Sequence, residues 1–309
     1  MTLPLRSAGR TDIGKARRRN EDAILVRDEA GLWAVADGLG GHADGDYASQ
    51  RVVERLASLP RADNVFDFVE AVEDALADVN FELRRAARAR GVALIGSTVV
   101  VLVHDRAFSL CGWAGDSRGY CCGQGRLVPL TRDHLYGVDD ADRWSGGPVQ
   151  AQPGGGVLTR AVGADNTLFM DWAVAPSRRD TRFVLCSDGV NKEVTDAEIE
   201  AACNRHAVPG DILDEIFETA LQRGARDNLS AVIVDLPDDP PAREAATDES
   251  MRALNRDLSA LDDAHRLGEI TRAEHRARRR RLLAGLAEGI GSRPAATRPS
   301  DWKRWFRRD

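Results

Sequence analysis

Three strand-like segments follow one another between residues 98 and 122, with only short turns between them. Residues 98–103 form an almost continuous apolar run of β-branched type, residues 107–114 come after a His-Asp-Arg turn, and residues 119–122 follow. A strand–helix–strand alternation, which is typical of a parallel sheet, does not occur. The series therefore predicts antiparallel pairing.

The other segments before residue 235 predict a hairpin and helices that come in pairs. Short apolar runs at residues 23–26 and 32–36 flank Asp-Glu-Ala-Gly, which is typical of a hairpin turn. The remaining predicted segments are helices at 46–59, 65–90, 196–205 and 211–223 and strands at 157–159, 168–174, 182–186 and 229–234. Strands in series with inserted helix pairs predict an α+β fold built of layers.

By composition the chain divides into four parts. Residues 1–235 carry the strands and helices and are predicted to form one domain, with a Gly-, Asp- and Pro-rich surface loop at 136–156. Residues 236–248 contain Pro-Asp-Asp-Pro-Pro and are predicted to be a linker. Residues 249–288 show two amphipathic helical patterns, and residues 289–309 are predicted to be a disordered basic and aromatic tail.

The net charge is unevenly distributed. The whole chain carries −6, but from Met251 onward there are 15 Lys and Arg against 8 Asp and Glu, a net of +7. The preceding residues therefore carry −13. The acidic body gives no sign of nucleic-acid binding, and the basic end needs an account of its own.

Cysteine content and hydropathy favour the cytoplasm. The five cysteines form no Cys-x-x-Cys pair, and four lie in or beside strand-like runs, as is typical of small buried side chains in a reducing compartment. The N-terminus lacks the apolar stretch of a signal peptide, and no run reaches the roughly 18 to 20 apolar residues that cross a bilayer. We therefore expect a soluble, cytoplasmic protein.

Aspartates lie at the ends of four predicted strands, three of them beside glycine. They are Asp37 before Gly38, Asp116 after Gly115, Asp188 before Gly189, and Asp227 just before the last strand. A strand end holds an acid rigidly while it faces solvent, and glycine lets the backbone approach a ligand and adopt a positive φ. Several acids converging without a Lys partner would repel one another, and a bound cation relieves that repulsion. All-oxygen ligands favour Mg²⁺ or Mn²⁺ over zinc.

Each of these Asp-Gly pairs, taken alone, is more typical of a turn than of a ligand. Four acids at strand ends are harder to explain in that way. From spacing alone, a set of unrelated turns and a single metal site both remain open.

Eight short blocks, in the correct order between about residues 7 and 235, resemble the type 2C, or PPM, metal-dependent protein phosphatases, with a pattern common in bacterial members. The blocks are Thr11-Asp-Ile-Gly14 with Arg17 and Asn20-Glu-Asp22; Ala36-Asp-Gly-Leu-Gly-Gly-His42; Gly96-Ser-Thr98; Ala114-Gly-Asp-Ser-Arg118; Leu130-Thr-Arg-Asp-His134; Leu158-Thr-Arg-Ala-Val-Gly163; Cys186-Ser-Asp-Gly189; and Gly224-Ala-Arg-Asp-Asn228. Any one block is weak, but the ordered set is very specific.

The resemblance implies a two-sheet antiparallel β-sandwich flanked by helix pairs, with two Mn²⁺ or Mg²⁺ ions at one end. By position in the blocks, Asp37 would bridge the two ions, and Asp188 and Asp227 would complete the shell of one of them. Asp116 matches the acid that, together with Asp188, supports a third, weaker ion in bacterial relatives.

The resemblance also implies ligands for the second ion and a contact to phosphate. The carbonyl of Gly38, with Glu21 and Asp22 mostly through water, would serve that ion. Arg17 matches the arginine that binds the substrate phosphate, and only the family register distinguishes it from Arg18 and Arg19.

The implied activity is hydrolysis of phosphoserine and phosphothreonine in proteins by a metal-activated water, opposing a serine/threonine kinase. The expected partners are phosphorylated proteins and that kinase. Two alternatives are a phosphatase-like regulatory scaffold and a partner-switching phosphatase that acts on a sigma-factor regulator. The complete acid set speaks against the first, and the lack of a sensory domain before the phosphatase blocks speaks against the second.

The chain departs from the family pattern near the site. Animal-type members have a proposed proton-donating histidine directly after the Asp-Gly pair, where this chain has Leu39, and His42 comes three residues later. Metal-bound water is our preferred substitute as the general acid. The loop at 136–156 lacks the charged helical segment of bacterial relatives, so the family pattern does not predict specificity. For His134 we expect a role in ordering a loop.

Residues 258–283 resemble a short C-terminal module called SHOCT, which is thought to mediate docking or oligomerisation. Thr271 and Glu274 predict a capping box at the start of the second helix, and Leu254, Leu258 and Leu261 share one helical face. The alternative is a helical hairpin that only packs on the first domain. The segment at 302–308 mixes aromatic and basic residues; a flexible tail is favoured over contact with an anionic membrane surface.

Overall fold

The strands form two antiparallel sheets in a computed structural model, which describes residues 6–40, 44–105, 108–136, 156–177, 181–236 and 248–289. In chain order the strands are β1 (Arg6–Asp12), β2 (Asp22–Arg27), β3 (Leu32–Leu39), β4 (Gly96–Ser97), β5 (Val99–His104), β6 (Phe108–Ala114), β7 (Arg118–Gly123), β8 (Arg126–Pro129), β9 (Asp171–Pro176), β10 (Arg182–Cys186) and β11 (Leu229–Asp235). The helices are α1 (Asp44–Ala57), α2 (Val65–Arg90), α3 (Asp188–Glu193), α4 (Asp196–Arg205), α5 (Pro209–Arg223), α6 (Asp248–Arg266) and α7 (Arg272–Gly289).

One sheet has the strand order β1-β11-β10-β7-β8, and the other has β2-β3-β5-β6-β9, with β4 beside β3. Neighbouring strands run antiparallel. The pairs α1–α2 and α4–α5 are inserted between strands. The predicted α+β sandwich with flanking helix pairs is therefore confirmed.

Alternation along β3 shows why its apolar run is continuous. Trp33 and Val35 pack into a core that also contains residues of the other sheet, such as Phe183. Leu32 and Ala34 pack on the opposite side, in a core shared with α1 and α2. Successive side chains of a strand point to opposite faces, so a strand covered on both sides needs apolar residues throughout.

Three strands were not predicted: the two-residue β4, and β1 and β8, which both lie at sheet edges. β1 is the first strand of its sheet and β8 the last, and their side chains are largely exposed or half-buried. An edge strand with one covered face carries polar residues, so its sequence has no apolar run to indicate it.

Some predicted boundaries were wrong. Residues 157–159 form no strand but a single bridge between Leu158 and Leu135. The strand expected at 168–174 begins later, at Asp171, and ends at Pro176. The six-residue helix α3 was not predicted, because its length offers less than two full turns of periodicity.

The two C-terminal helices form as predicted, with Thr271 and Glu274 in a capping box. The Thr271 amide donates to Glu274 Oε2 at 2.9 Å, and the Glu274 amide donates to Thr271 Oγ1 at 3.2 Å. Leu254, Leu258 and Leu261 are all buried. His42, the loop at 137–155, the linker at 237–247 and the tail at 290–309 lie outside the described residues.

All five cysteines are unbridged, and four of them are buried. Burial raises the pKa of Cys186 to about 12, so its thiol is protonated at neutral pH. Across the described ranges, none of the helices combines the length and the apolar character that a membrane span requires.

Candidate active site

The predicted acids meet at one end of the sandwich. β2 and β3 pair so that Asp22 lies opposite Asp37. Asp188 is the first residue of α3, directly after β10, and Asp227 comes just before β11. Because β10 and β11 are neighbours, their connections lie together, and Asp116 joins them from the end of β6.

Burial and mutual repulsion raise the pKa values of several of these acids. Burial, followed by the charges of Asp22, Asp188 and Asp116, raises the pKa of Asp37 well above its ordinary value. Burial and the charge of Asp188 raise the pKa of Asp116 to about 7. Carboxylates that resist ionisation in this way gain from a cation, which lowers the cost of the charged form.

Asp22 is the most buried of these carboxylates, with 5% of its surface exposed. Burial raises its pKa to about 6, although hydrogen bonds from Ser187 and Ser230 act in the opposite direction. Ser187 Oγ donates to Asp22 Oδ2 at 2.8 Å. Ser187 also accepts a hydrogen bond from the Ser230 amide at 3.1 Å. The hydroxyl therefore joins Asp22 to the β10–β11 pair.

The expectation that these acids have no Lys partner was wrong. Lys192 Nζ hydrogen-bonds Asp188 Oδ2 and lies 4.0 Å from Asp227 Oδ2. Arg17 Nη2 donates to Asp227 Oδ2 at 2.9 Å. Lys192 is four residues after Asp188, one helical turn along α3, and that spacing could have identified it once α3 was assigned.

Asp188 has a buried carboxylate oxygen, Oδ1, without a hydrogen-bond partner among the described residues. A buried carboxylate oxygen without a donor is costly unless something else satisfies it. Its place among four other carboxylates fits a hard cation with oxygen ligands.

Glu21 and the Gly38 carbonyl lie together at the start of α1. The Gly38 amide donates to the Glu21 carbonyl at 3.0 Å. A Cβ added to Gly45 would lie 2.9 Å from Glu21 Oε2 and 3.0 Å from the Gly38 carbonyl oxygen. Both groups therefore flank Gly45, which the sequence did not single out, and a side chain at that position would displace them.

The glycines beside the acids are required mainly because other backbone atoms lie close to them, and less because of unusual backbone angles. A Cβ on Gly38 would lie 2.0 Å from the Gly45 carbonyl oxygen, and one on Gly189 would lie 2.0 Å from the Asn228 carbonyl oxygen. Neither glycine has a positive φ; of the three predicted pairs, only Gly115 does, at 124°. The predicted close approach is confirmed at Gly38 and Gly189, and the predicted positive φ was wrong there.

Asn228 holds the segment that carries Arg17 and Glu21. Its Nδ2 donates to the carbonyls of Ile13 and Arg19, each at 2.9 Å. Its Oδ1 accepts from the Glu21 amide at 2.9 Å. The sequence placed Asn228 in a family block without assigning it a role. Its three hydrogen bonds to backbone groups show that it fixes this segment in place.

His134 lies behind the Asp116 loop. Its Nδ1 accepts a hydrogen bond from the Gly115 amide at 3.1 Å, and its Nε2 lies 3.2 Å from Asp171 Oδ2. Burial lowers the pKa of His134, which keeps the ring neutral. These contacts agree with the expectation that His134 orders a loop.

Arg17 and Lys192 contact carboxylate oxygens of Asp227 and Asp188. Among the residues that the structure describes, no three His, Cys, Asp or Glu side chains are already placed to hold a single ion. The donor set nevertheless fits Mn²⁺ or Mg²⁺, because it consists of carboxylate and carbonyl oxygens and includes the partnerless Asp188 Oδ1.

Comparisons with known sequences identify the family. A model of the family Protein phosphatase 2C matches residues 11–233. The serine/threonine protein phosphatase PstP of Mycobacterium tuberculosis is 31% identical over 241 residues, which cover 77% of this chain and 46% of PstP. The chain thus matches about half the length of that curated relative.

Solved structures share the fold. PppA, described as a key regulatory component of T6SS in Pseudomonas aeruginosa, is 38% identical, with a TM-score of 0.70 over 76% of this chain and 99% of PppA. The catalytic domain of PstP in complex with two manganese ions is 27% identical, with a TM-score of 0.64 over 76% of this chain and 99% of that domain. The predicted family is confirmed, and the chain belongs to the protein phosphatase 2C family.

Proposed function

We propose that this protein hydrolyses phosphoserine and phosphothreonine in other proteins, with Mn²⁺ or Mg²⁺ as cofactor. The observation that carries the proposal is the cluster of carboxylates around Asp37, in which three pKa values are raised and Asp188 Oδ1 has no described partner. Membership of the family and the manganese complex of PstP support it.

Each acid has a proposed place around the ions. Asp37, whose pKa is raised by burial and by the charges of neighbouring acids, would lie between two ions, with Asp188 and Asp227 on one of them. Asp116 would join Asp188 on a third, weaker ion. A cation held by Asp188 Oδ2 would compete with Lys192, whose ammonium group contacts that oxygen in the structure.

The second ion of the pair would use the Gly38 carbonyl, with Glu21 and Asp22 contributing mostly through water. The Gly38 carbonyl and the Glu21 carboxylate already flank the same point at Gly45. Asp22 is held by Ser187 and faces Asp37 across the β2–β3 pair. When bound, the ions supply the Lewis acidity that makes a water nucleophilic near neutral pH.

Arg17 is the proposed phosphate ligand. Its side chain is 51% exposed and hydrogen-bonds Asp227 through Nη2. The planar guanidinium has further donors that can hold a phosphate oxygen while the Asp227 contact orients the group. It would position the phosphoryl group beside the acids and offset part of its negative charge.

The expected partners are phosphorylated proteins and a serine/threonine kinase whose action this protein opposes. We also propose a cytoplasmic location, which agrees with five unbridged cysteines. Docking or oligomerisation through residues 249–288 remains a prediction.

Hydrolysis of p-nitrophenyl phosphate and of a phosphothreonine peptide tests the proposal. Turnover should require Mn²⁺ or Mg²⁺, disappear with EDTA, and be lost almost completely in Asp188→Asn. Asp214→Asn is a matched control. Asp214 lies on α5, outside the acid cluster, where it is exposed and pairs with Arg10 of β1. An inert protein in Mn²⁺, or a fully active Asp188→Asn variant, would refute the proposal.

A further inference from the structure

Helix α6 covers the outer edge of β9, the last strand of its sheet. Asn255 accepts from the Val174 amide at 2.8 Å and donates to the Val174 carbonyl at 2.9 Å. Asp262 Oδ2 accepts from the Trp172 amide at 3.2 Å. Asn255 and Asp262 are two helical turns apart and lie on one face, while Trp172 and Val174 present their backbone groups to one edge. Helix side chains thus take the place of a neighbouring strand.

Charge and apolar contacts fix the hairpin of α6 and α7 on the first domain. Met251, Leu254 and Leu258 belong to the core that α2 also lines. Arginines of α7 pair with acids of α2, and the pairs join Arg272 and Arg276 to Asp74, Arg279 to Glu73, and Arg280 to Asp67 and Glu70. These arginines of α7 are therefore matched to an acidic face of α2.

Asp262 is held from both sides. Its Oδ1 lies 2.6 Å from His275 Nε2, and both side chains are almost fully buried. Asp262 therefore links α7, through His275, to the backbone of β9, through the Trp172 amide. Such an arrangement fixes the position of Trp172 and of the residue before it.

The residue before Trp172 is Asp171, which begins a path to the acid cluster. Because His134 Nδ1 accepts from the Gly115 amide, the ring proton is on Nε2 and is donated to Asp171. The main-chain amide of His134 also donates to the Gly115 carbonyl at 3.0 Å. Gly115 directly precedes Asp116, so a shift of Asp171 would reach the Asp116 carboxylate through one ring.

We propose that the C-terminal hairpin positions the Asp116 loop, through Asp262, the start of β9, and His134. Asp262 and His134 are thus positioning residues for Asp116. The family match ends at residue 233, so the hairpin adds this support to the matched domain. The consequence for ion binding rests on the proposed function, whereas the consequence for the order of the loop does not.

Hydrogen exchange in the EDTA-treated, full-length protein tests the path without metal or substrate. Asp262→Ala should speed exchange of the Gly115 amide by about 2- to 30-fold, the range expected for coupling through a packed network. His134→Ala removes the acceptor of that amide and should have a larger effect. The double variant should exchange no faster than His134→Ala, because the two residues act in series.

Asn255→Ala is the matched control, because it breaks a contact between the same helix and strand two residues further from Asp171. It should speed exchange at Val174 and have a smaller effect at Gly115. Exchange of α6 amides shows whether the hairpin stays docked. An unchanged exchange rate of the Gly115 amide in Asp262→Ala would overturn the proposal. This holds whether the hairpin stays docked or detaches, because detachment removes the support altogether.

Mn²⁺ titration gives a second readout once phosphatase activity has been demonstrated. Asp262→Ala should raise the Mn²⁺ concentration for half-maximal turnover by about 2- to 30-fold, with turnover recovering at saturating Mn²⁺. A fall in turnover that saturating Mn²⁺ does not reverse, with unchanged Mn²⁺ dependence, would contradict positioning of an ion ligand. If the protein has no phosphatase activity, the exchange result still decides the path.

Discussion

Two groups of carboxylates in this molecule have opposite electrostatic surroundings. At the acid cluster, burial and neighbouring acids raise the pKa values of Asp37 and Asp116. On α2, burial acts in the same direction, but the hydrogen bond and charge of Arg279 lower the pKa of Glu73. The hydrogen bond and charge of Arg276 lower the pKa of Asp74 in the same way.

The difference follows from the source of the compensating charge. On α2 the chain supplies its own arginines from α7, so the acids are satisfied in the folded protein. At the acid cluster, the basic side chains that contact the acids within the described residues are Arg17 and Lys192, and both are about half exposed. The pairs between α2 and α7 contribute to stability. The acid cluster is left with uncompensated negative charge that favours binding of cations from solution. Removing charge should therefore have opposite effects on stability at the two places.

The largest stability effect is expected at α2. Glu73→Gln should lower the free energy of unfolding by about 3–5 kcal/mol, because it leaves the buried guanidinium of Arg279 without a carboxylate. Urea unfolding measures the change. Asp67→Asn, which breaks an exposed pair with Arg280, is the control and should cost no more than about 1 kcal/mol. Equal effects of the two variants would remove the distinction between buried and exposed pairs.

At the acid cluster, Asp37→Asn should reduce turnover by about 100-fold or more, since loss of even an outer partner of a metal ligand costs about 10- to 100-fold. The EDTA-treated variant should be more stable than the wild type, because an amide carries no charge for the neighbouring acids to repel and need not take up a proton on folding. Turnover and thermal unfolding with EDTA check both parts. A metal-free Asp37→Asn protein that unfolds at lower temperature would contradict the account of repulsion.

The contribution of the acid cluster to the stability of the metal-free protein should fall as pH rises from about 4 to about 7. The folded-state pKa values of Asp22 and Asp116, about 6 and about 7, lie above the ordinary value of an aspartate, so the folded state binds more protons in that window. Each pKa unit corresponds to about 1.4 kcal/mol.

Thermal unfolding between pH 5 and pH 8, with EDTA and with Mn²⁺, measures this dependence. Saturating Mn²⁺ should remove the fall, because ions bind the deprotonated carboxylates. Asp116→Asn should flatten the upper part of the window. If the stability of the metal-free wild type and that of Asp116→Asn change equally between pH 5 and pH 8, the acids are not held in mutual repulsion.

The smallest effect is expected at the helix caps. Thr271→Ala should lower the unfolding midpoint by about 2–4 °C if the hairpin unfolds together with the first domain. Thr195→Ala is the matched variant, because Thr195 and Glu198 form the same capping box on α4. An effect of Thr195→Ala without one of Thr271→Ala would show that the hairpin unfolds separately.

The sequence alone determined the family and the two-sheet fold, and it singled out acids that come together at one end of the sandwich. Apolar runs with alternating faces predict buried strands, and Asp37, Asp188 and Asp227 lie in blocks whose order is specific. These are local properties, because each depends on residues adjacent in the chain. The edge strands β1 and β8 were not predicted for the same reason, because neither segment contains an apolar run.

Tertiary structure alone decided which groups meet. Lys192 reaches Asp227 because α3 begins at the end of β10, and Asp262 reaches the Trp172 amide across 90 residues of chain. The basic residues of α7 showed an excess of charge in the sequence, but only packing identified the acidic face of α2 as their partner. Contacts between distant segments depend on how sheets and helices pack, and no spacing along the chain encodes that.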